Sequence, residues 1–94
     1  MSMNSMMAAQ DCRDHLEISS DTYATVTGYV GGKAHNISVL IDHNKVEFSF
    51  DEPIGVFQHF TTEYQDMVWD EADKTLMISN KKPLYSFKVF FPNP

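Results

Sequence analysis

From Tyr23 to Phe91 the side chains alternate apolar and polar, broken at short intervals by turn-forming residues. That period belongs to a strand with one buried and one wet face, and it argues against a helical bundle. The stretch Val68–Phe91, VWDEADKTLMISNKKPLYSFKVFF, shows it most cleanly. Leu76 and Ile78 share one face; so do Tyr85, Phe87, Val89 and Phe91. The turn segments Asp70–Lys74 and Asn80–Pro83 separate three strands.

The same reading applies upstream. Thr22–Val30 places Ala24, Val26, Gly28 and Val30 on one side. Gly31-Gly32 supplies a turn. Asn36–Asp42 and Lys45–Phe50 follow as strands, with His43-Asn44 as a turn between them, and His15–Ser20 reads as a short strand. Asp51-Glu52-Pro53 interrupts the pattern. Asp51 suits a helix N-cap, Pro53 a first turn, and Ile54, Phe57, Phe60 and Tyr64 recur at helical spacing. The spacing predicts a short helix near 52–62, with a strand over Val56–Tyr64 as the competing reading.

Residues 1–14 carry helix-favouring Met6-Met7-Ala8-Ala9-Gln10 but no strong apolar stripe, and read as a flexible arm or a short helix. Residues 15–94 read as a single β-rich domain, within reach of a 94-residue chain. The fold class is therefore α+β, predominantly antiparallel β. Two β-meanders of five to seven strands in total are separated by the helix near 52–62. An all-β sandwich or barrel is the alternative if that segment is a strand.

No catalytic motif emerges. Cys12 lies between Asp11 and Asp14, whose charges raise a thiol pKa and disfavour a thiolate nucleophile. His15, His35, His43 and His59 lack metal-site spacing; Cys12-x-x-His15 is a pair without a second pair. Gly31-Gly32-Lys33 lacks the rest of a phosphate loop. The expectation is a protein that is not an enzyme, with no metal and no cofactor. A single cysteine and an N-terminus without a signal-peptide pattern point to the cytoplasm.

Charge is the most informative remaining property. The chain carries thirteen acids and seven bases, a net charge of −6. That weighs against nucleic acid and anionic membranes as partners. Asp42–Asp73 holds nine acids and one base, whereas Lys74–Pro94 holds four lysines and no acid. The tightest acidic group is Glu63, Asp66, Asp70, Glu71 and Asp73. It serves either as a solvated rim that maintains solubility or as a docking face for a basic protein. Trp69 lies among these acids. Strand alternation puts it with Met67 in the core; exposed, it becomes an interface anchor. Leu84 and Phe90 point away from the main apolar face of the last strand and are candidates for self-association, the terminal strand pairing with its twin across a homodimer.

The leading functional expectation is a small acidic module that binds a partner protein, a basic one among the candidates, and inhibits or regulates it, as immunity proteins and viral inhibitors do. The alternatives are a structural subunit or homodimer joined through the C-terminal strand, and a small-ligand binder or enzyme.

Overall fold

The alternation translates into seven strands, and the computed structural model describes them within residues 3–19, 23–42 and 44–94. A helix α1 (Met3–His15) precedes β1 (Ala24–Val30), β2 (Lys33–Asp42), β3 (Lys45–Ile54), β4 (Phe57–Thr61), β5 (Asp66–Asp70), β6 (Thr75–Lys81) and β7 (Leu84–Phe90). All neighbours are antiparallel and form one curled sheet in the order β4-β3-β2-β1-β7-β6-β5. The first four strands form one leaf and the last three another. The leaves join where Tyr29 of β1 faces Phe90 of β7.

Gly28 permits that joint. A Cβ there would lie 2.7 Å from Ile37 Cδ1, 2.8 Å from Val89 Cγ1 and 3.0 Å from Phe91 Cε1. Without one, core side chains of both leaves close over the β1 backbone. The concave face holds the core, including Ile37, Val39, Val46, Phe48, Phe60, Met67, Leu76, Ile78, Val89 and Phe91. Phe60 meets Phe50 edge-on at a ring separation of 5.4 Å and Phe87 at 5.0 Å, linking β4, β3 and β7. Burying side chains of this size contributes about 1.5–3 kcal/mol each.

The helix expected near 52–62 is absent. β3 runs on to Ile54, the chain turns at Gly55-Val56, and β4 begins at Phe57. Gly55 has a φ of 68°, the conformation a two-residue hairpin needs at its first central position. The helical spacing was misleading because the β3–β4 register shifts between Ser49 and Ile54. That irregularity lets Phe57 and Phe60, three residues apart, both pack inward. Pro53 occupies the same irregular stretch, where a missing N–H is tolerated.

The helix lies instead at the N-terminus. His15 ends α1, and Leu16-Glu17 is a turn, so no strand begins at His15. Ser5, Ala8, Ala9, Cys12, Arg13 and Leu16 are buried. They recur three and four residues apart and form a narrow stripe of mostly small side chains, which lets the helix sit close to β5. Ser5 Oγ accepts the Met67 N–H at 3.0 Å, and Thr62 Oγ1 donates to Met6 Sδ at 3.1 Å. Arg13 is fully buried below the following loop, where Nη2 donates to the Ser19 carbonyl and Nε and Nη1 have no partner. His43, the first residue of the expected His43-Asn44 turn, lies outside the described residues.

Candidate functional site

β5 is an edge strand, and its alternation sorts the acidic segment into two faces. Met67 is buried and Trp69 half-buried, facing inward; Asp66, Val68 and Asp70 are exposed. α1 covers the edge, leaving a shallow groove of about 310 Å³ lined by Asn4, Met7, Ala8, Asp11, Met67, Val68 and Trp69. Met7 and Val68 line it yet remain 60% and 54% exposed. An apolar pair this open beside carboxylates resembles the centre and rim of a protein interface. Asp11 comes from the helix and Asp66 from the strand; among the described residues neither carboxylate pairs with a cation.

The turn acids have local work of their own. Asp70 Oδ1 accepts the Asp73 N–H at 3.1 Å and shapes the turn. Glu71 accepts from Lys74 Nζ at 2.8 Å and from Trp69 Nε1 at 2.6 Å. These bonds, Lys74 first, hold its carboxyl below the usual carboxylate range. The Trp69 ring packs against His15 at a centroid distance of 5.3 Å, and His15 Nε2 meets the Phe91 carbonyl at 2.8 Å. Trp69 thus fastens the end of the helix to the turn.

The five acids picked out in sequence divide between the two ends of β5. Asp70, Glu71 and Asp73 stand at its C-terminal end; Glu63 and Asp66 stand at the other, roughly 13 Å away by strand rise. Sequence reasoning missed Asp11 and Met7, which the helix brings beside Val68. The buried spacing Ser5, Ala8-Ala9, Cys12, Leu16 was the available signal, obscured because most of these side chains are small and one is polar.

Strand β7 is not an edge. It pairs with β6 along its whole length, and on its other side Tyr29 of β1 faces Phe90. Leu84 and Phe90 remain 86% and 41% exposed but lie at opposite ends of the strand. Cys12 is buried rather than carried on a mobile arm, and burial pushes its thiol pKa up. Among the described residues, no three His, Cys, Asp or Glu side chains converge as a metal site, and no helix is long and apolar enough to cross a membrane.

A second concavity of about 530 Å³ opens along the seam where β4 and the β6–β7 turn fail to join. Lys45, Glu47, Phe57, His59, Thr61, Tyr64, Lys81 and Lys82 surround it, and Gln65 and Asn80 form its floor. Gln65 Nε2 donates to Asn80 Oδ1 at 3.0 Å, Gln65 Oε1 accepts the Thr61 N–H at 2.7 Å, and Asn80 Nδ2 donates to the Pro83 carbonyl at 2.8 Å. His59 Nδ1 lies 2.8 Å from Ser49 Oγ.

Comparison of the chain with protein-family models, with curated proteins and with solved structures finds no match.

Proposed function

We propose that this chain is a protein-binding module that inhibits or regulates a partner by occupying a basic surface, and that its docking site is the groove between α1 and β5. The observation that carries the reading is the exposure of Met7 and Val68 in a groove that Asp11 also lines, with Asp66 exposed two residues before Val68 on the strand and neither carboxylate paired with a cation among the described residues. The apolar pair supplies contact area that loses water on docking. The acids steer a basic partner and reject an acidic one. We assign the surface no catalytic step.

Capture of partners from cell lysate tests this, with the whole chain as bait and a Met7→Ser/Val68→Ser bait beside it. A specific partner is retained by the natural chain and lost from the groove variant, although both baits stay folded. Its capture falls between about 0.1 M and about 1 M salt, as the screening length shortens from roughly 10 Å to 3 Å. Equal capture by both baits, unaffected by salt, removes the groove from consideration.

A further inference from the structure

The placement of the lysines indicates a second site. Of the seven Lys and Arg residues, Arg13 is buried, Lys33 pairs with Glu52, and Lys74 pairs with Glu71. Lys88 stands on the outer side of β7. The remaining three, Lys45, Lys81 and Lys82, all line the seam cleft, from the start of β3, the end of β6 and the β6–β7 turn respectively. Among the described residues none of the three has a carboxylate partner, in a chain whose acids outnumber its bases thirteen to seven. Grouping like charges is unfavourable by itself and is relieved by an anion between them.

The walls narrow the chemistry. Phe57 is half-buried in the cleft, and Tyr64 is 74% exposed at its side. Tyr64 offers an exposed aromatic face to a flat ring, and Phe57, packed against Tyr85 and Phe60, adds an apolar wall. Glu47 lines the same space, and the neighbouring Glu63 carboxylate raises the pKa of the Tyr64 phenol. Three lysines against two glutamates leave a formal charge of +1 with His59 neutral. A single anionic group suits that balance, whereas a polyphosphate or a nucleic-acid backbone does not. Glu47 is then available to accept from an amine or hydroxyl on the ligand. The floor amides of Gln65 and Asn80 are committed to the protein, so selection falls to the walls. The volume lies within the range of small-molecule sites, roughly 300–1,000 Å³.

We propose that the seam cleft binds a small ligand carrying one anionic group, phosphate or carboxylate, on a flat ring. The test is a titration of the ¹⁵N-labelled chain followed by backbone amide shifts. AMP and benzoate represent the phosphate and carboxylate forms; adenosine supplies a ring without charge, and inorganic phosphate and acetate supply charge without a ring. The expected result is saturable shifts at Lys45, His59, Thr61, Tyr64, Lys81 and Lys82 with AMP or benzoate. The tighter of the two identifies the anionic group, and its ring-only and charge-only controls bind at least about tenfold more weakly. A Lys81→Ala/Lys82→Ala chain, altered only at two exposed positions beside the β6–β7 turn, keeps its melting temperature and loses at least about tenfold in affinity. Lys33→Ala does not. The proposal is overturned if neither ligand shifts these amides below about 10 mM, if phosphate or acetate binds as tightly as the ring-bearing form, or if Lys33→Ala weakens binding as much as the double variant.

Discussion

The α1–β5 groove and the seam cleft border the two edges of one sheet, and the edges are finished in different ways. Edge β5 is covered from far along the chain, since Ser5 takes up the Met67 N–H across 62 positions. Edge β4 is finished locally. Thr62 N donates to the Val46 carbonyl at 3.1 Å, and the unshifted register then turns the Thr61 and His59 backbone groups away from β3. The loop that follows closes on Thr61: Gln65 Oε1 takes its N–H, and Gln65 N, at 2.8 Å, donates to its carbonyl. Both devices blunt edge-to-edge pairing. The remote one leaves an acidic, apolar surface shaped by a docked helix; the local one leaves a polar cleft whose lysines are free to meet a ligand.

Substitutions sharpen that contrast, beginning with those that abolish it. Phe60→Ala empties the aromatic junction between the leaves and is expected to cost about 3–5 kcal/mol, read as a lower melting temperature with both surfaces lost together. Gly28→Val drives a side chain into Ile37, Val89 and Phe91, for about 1–3 kcal/mol or more. Smaller changes should separate the edges. Gln65→Ala leaves the Thr61 N–H and Asn80 unsatisfied, and Ser5→Ala strands the Met67 N–H; each should cost about 1–3 kcal/mol in chemical denaturation. Thiol labelling of Cys12 distinguishes the two. Buried and poorly ionised, Cys12 reacts only when α1 lifts away. Ser5→Ala should accelerate labelling under native conditions, and Gln65→Ala much less. Equal acceleration by both would show that the edges open as one unit.

The strands were legible because alternation is a local property that burial enforces. Val46, Phe48 and Phe50 face the core in the structure, as do Leu76 and Ile78, with their polar neighbours facing out. The helix was legible only as one of two readings of residues 1–14, beside a false one at 52–62, for two different reasons. At 52–62 a register shift imitated helical spacing. At Met3–His15 the buried stripe consists of Ser, Ala, Cys and Arg, which no scan for large apolar residues detects. The candidate surfaces were less legible still, because each is assembled across the chain. Lys45 belongs to the acidic block in sequence but joins Lys81 and Lys82 in space. Asp11 lies far from the acidic block but borders Val68. Charge blocks along a chain become surface patches only through topology.

The smallest expected effect compares the leaves under acid. In the first leaf, Asp51 accepts the Asn36 N–H at 3.0 Å and meets His35 Nδ1 at 2.9 Å, and these bonds, Asn36 first, lower its pKa. In the second, Lys74 and then Trp69 lower that of Glu71. Unfolded, these carboxyls titrate near about 3.9 and 4.3. A depressed folded value means that each contributes stability above its unfolded pKa and loses it as pH falls through the folded one. Both groups are solvent-exposed, so the contribution is modest, but its location is readable. The Trp69 indole N–H resonance should report protonation of Glu71 with a midpoint below about 4.3, and Glu71→Gln should abolish that transition. The Asn36 amide should report Asp51 in the same way and be silenced by Asp51→Asn. A Trp69 midpoint at or above the unfolded value would mean that Lys74 does not hold Glu71 in solution. The turn acids would then be as available for docking as Asp11 and Asp66, and the groove would extend along the whole of β5.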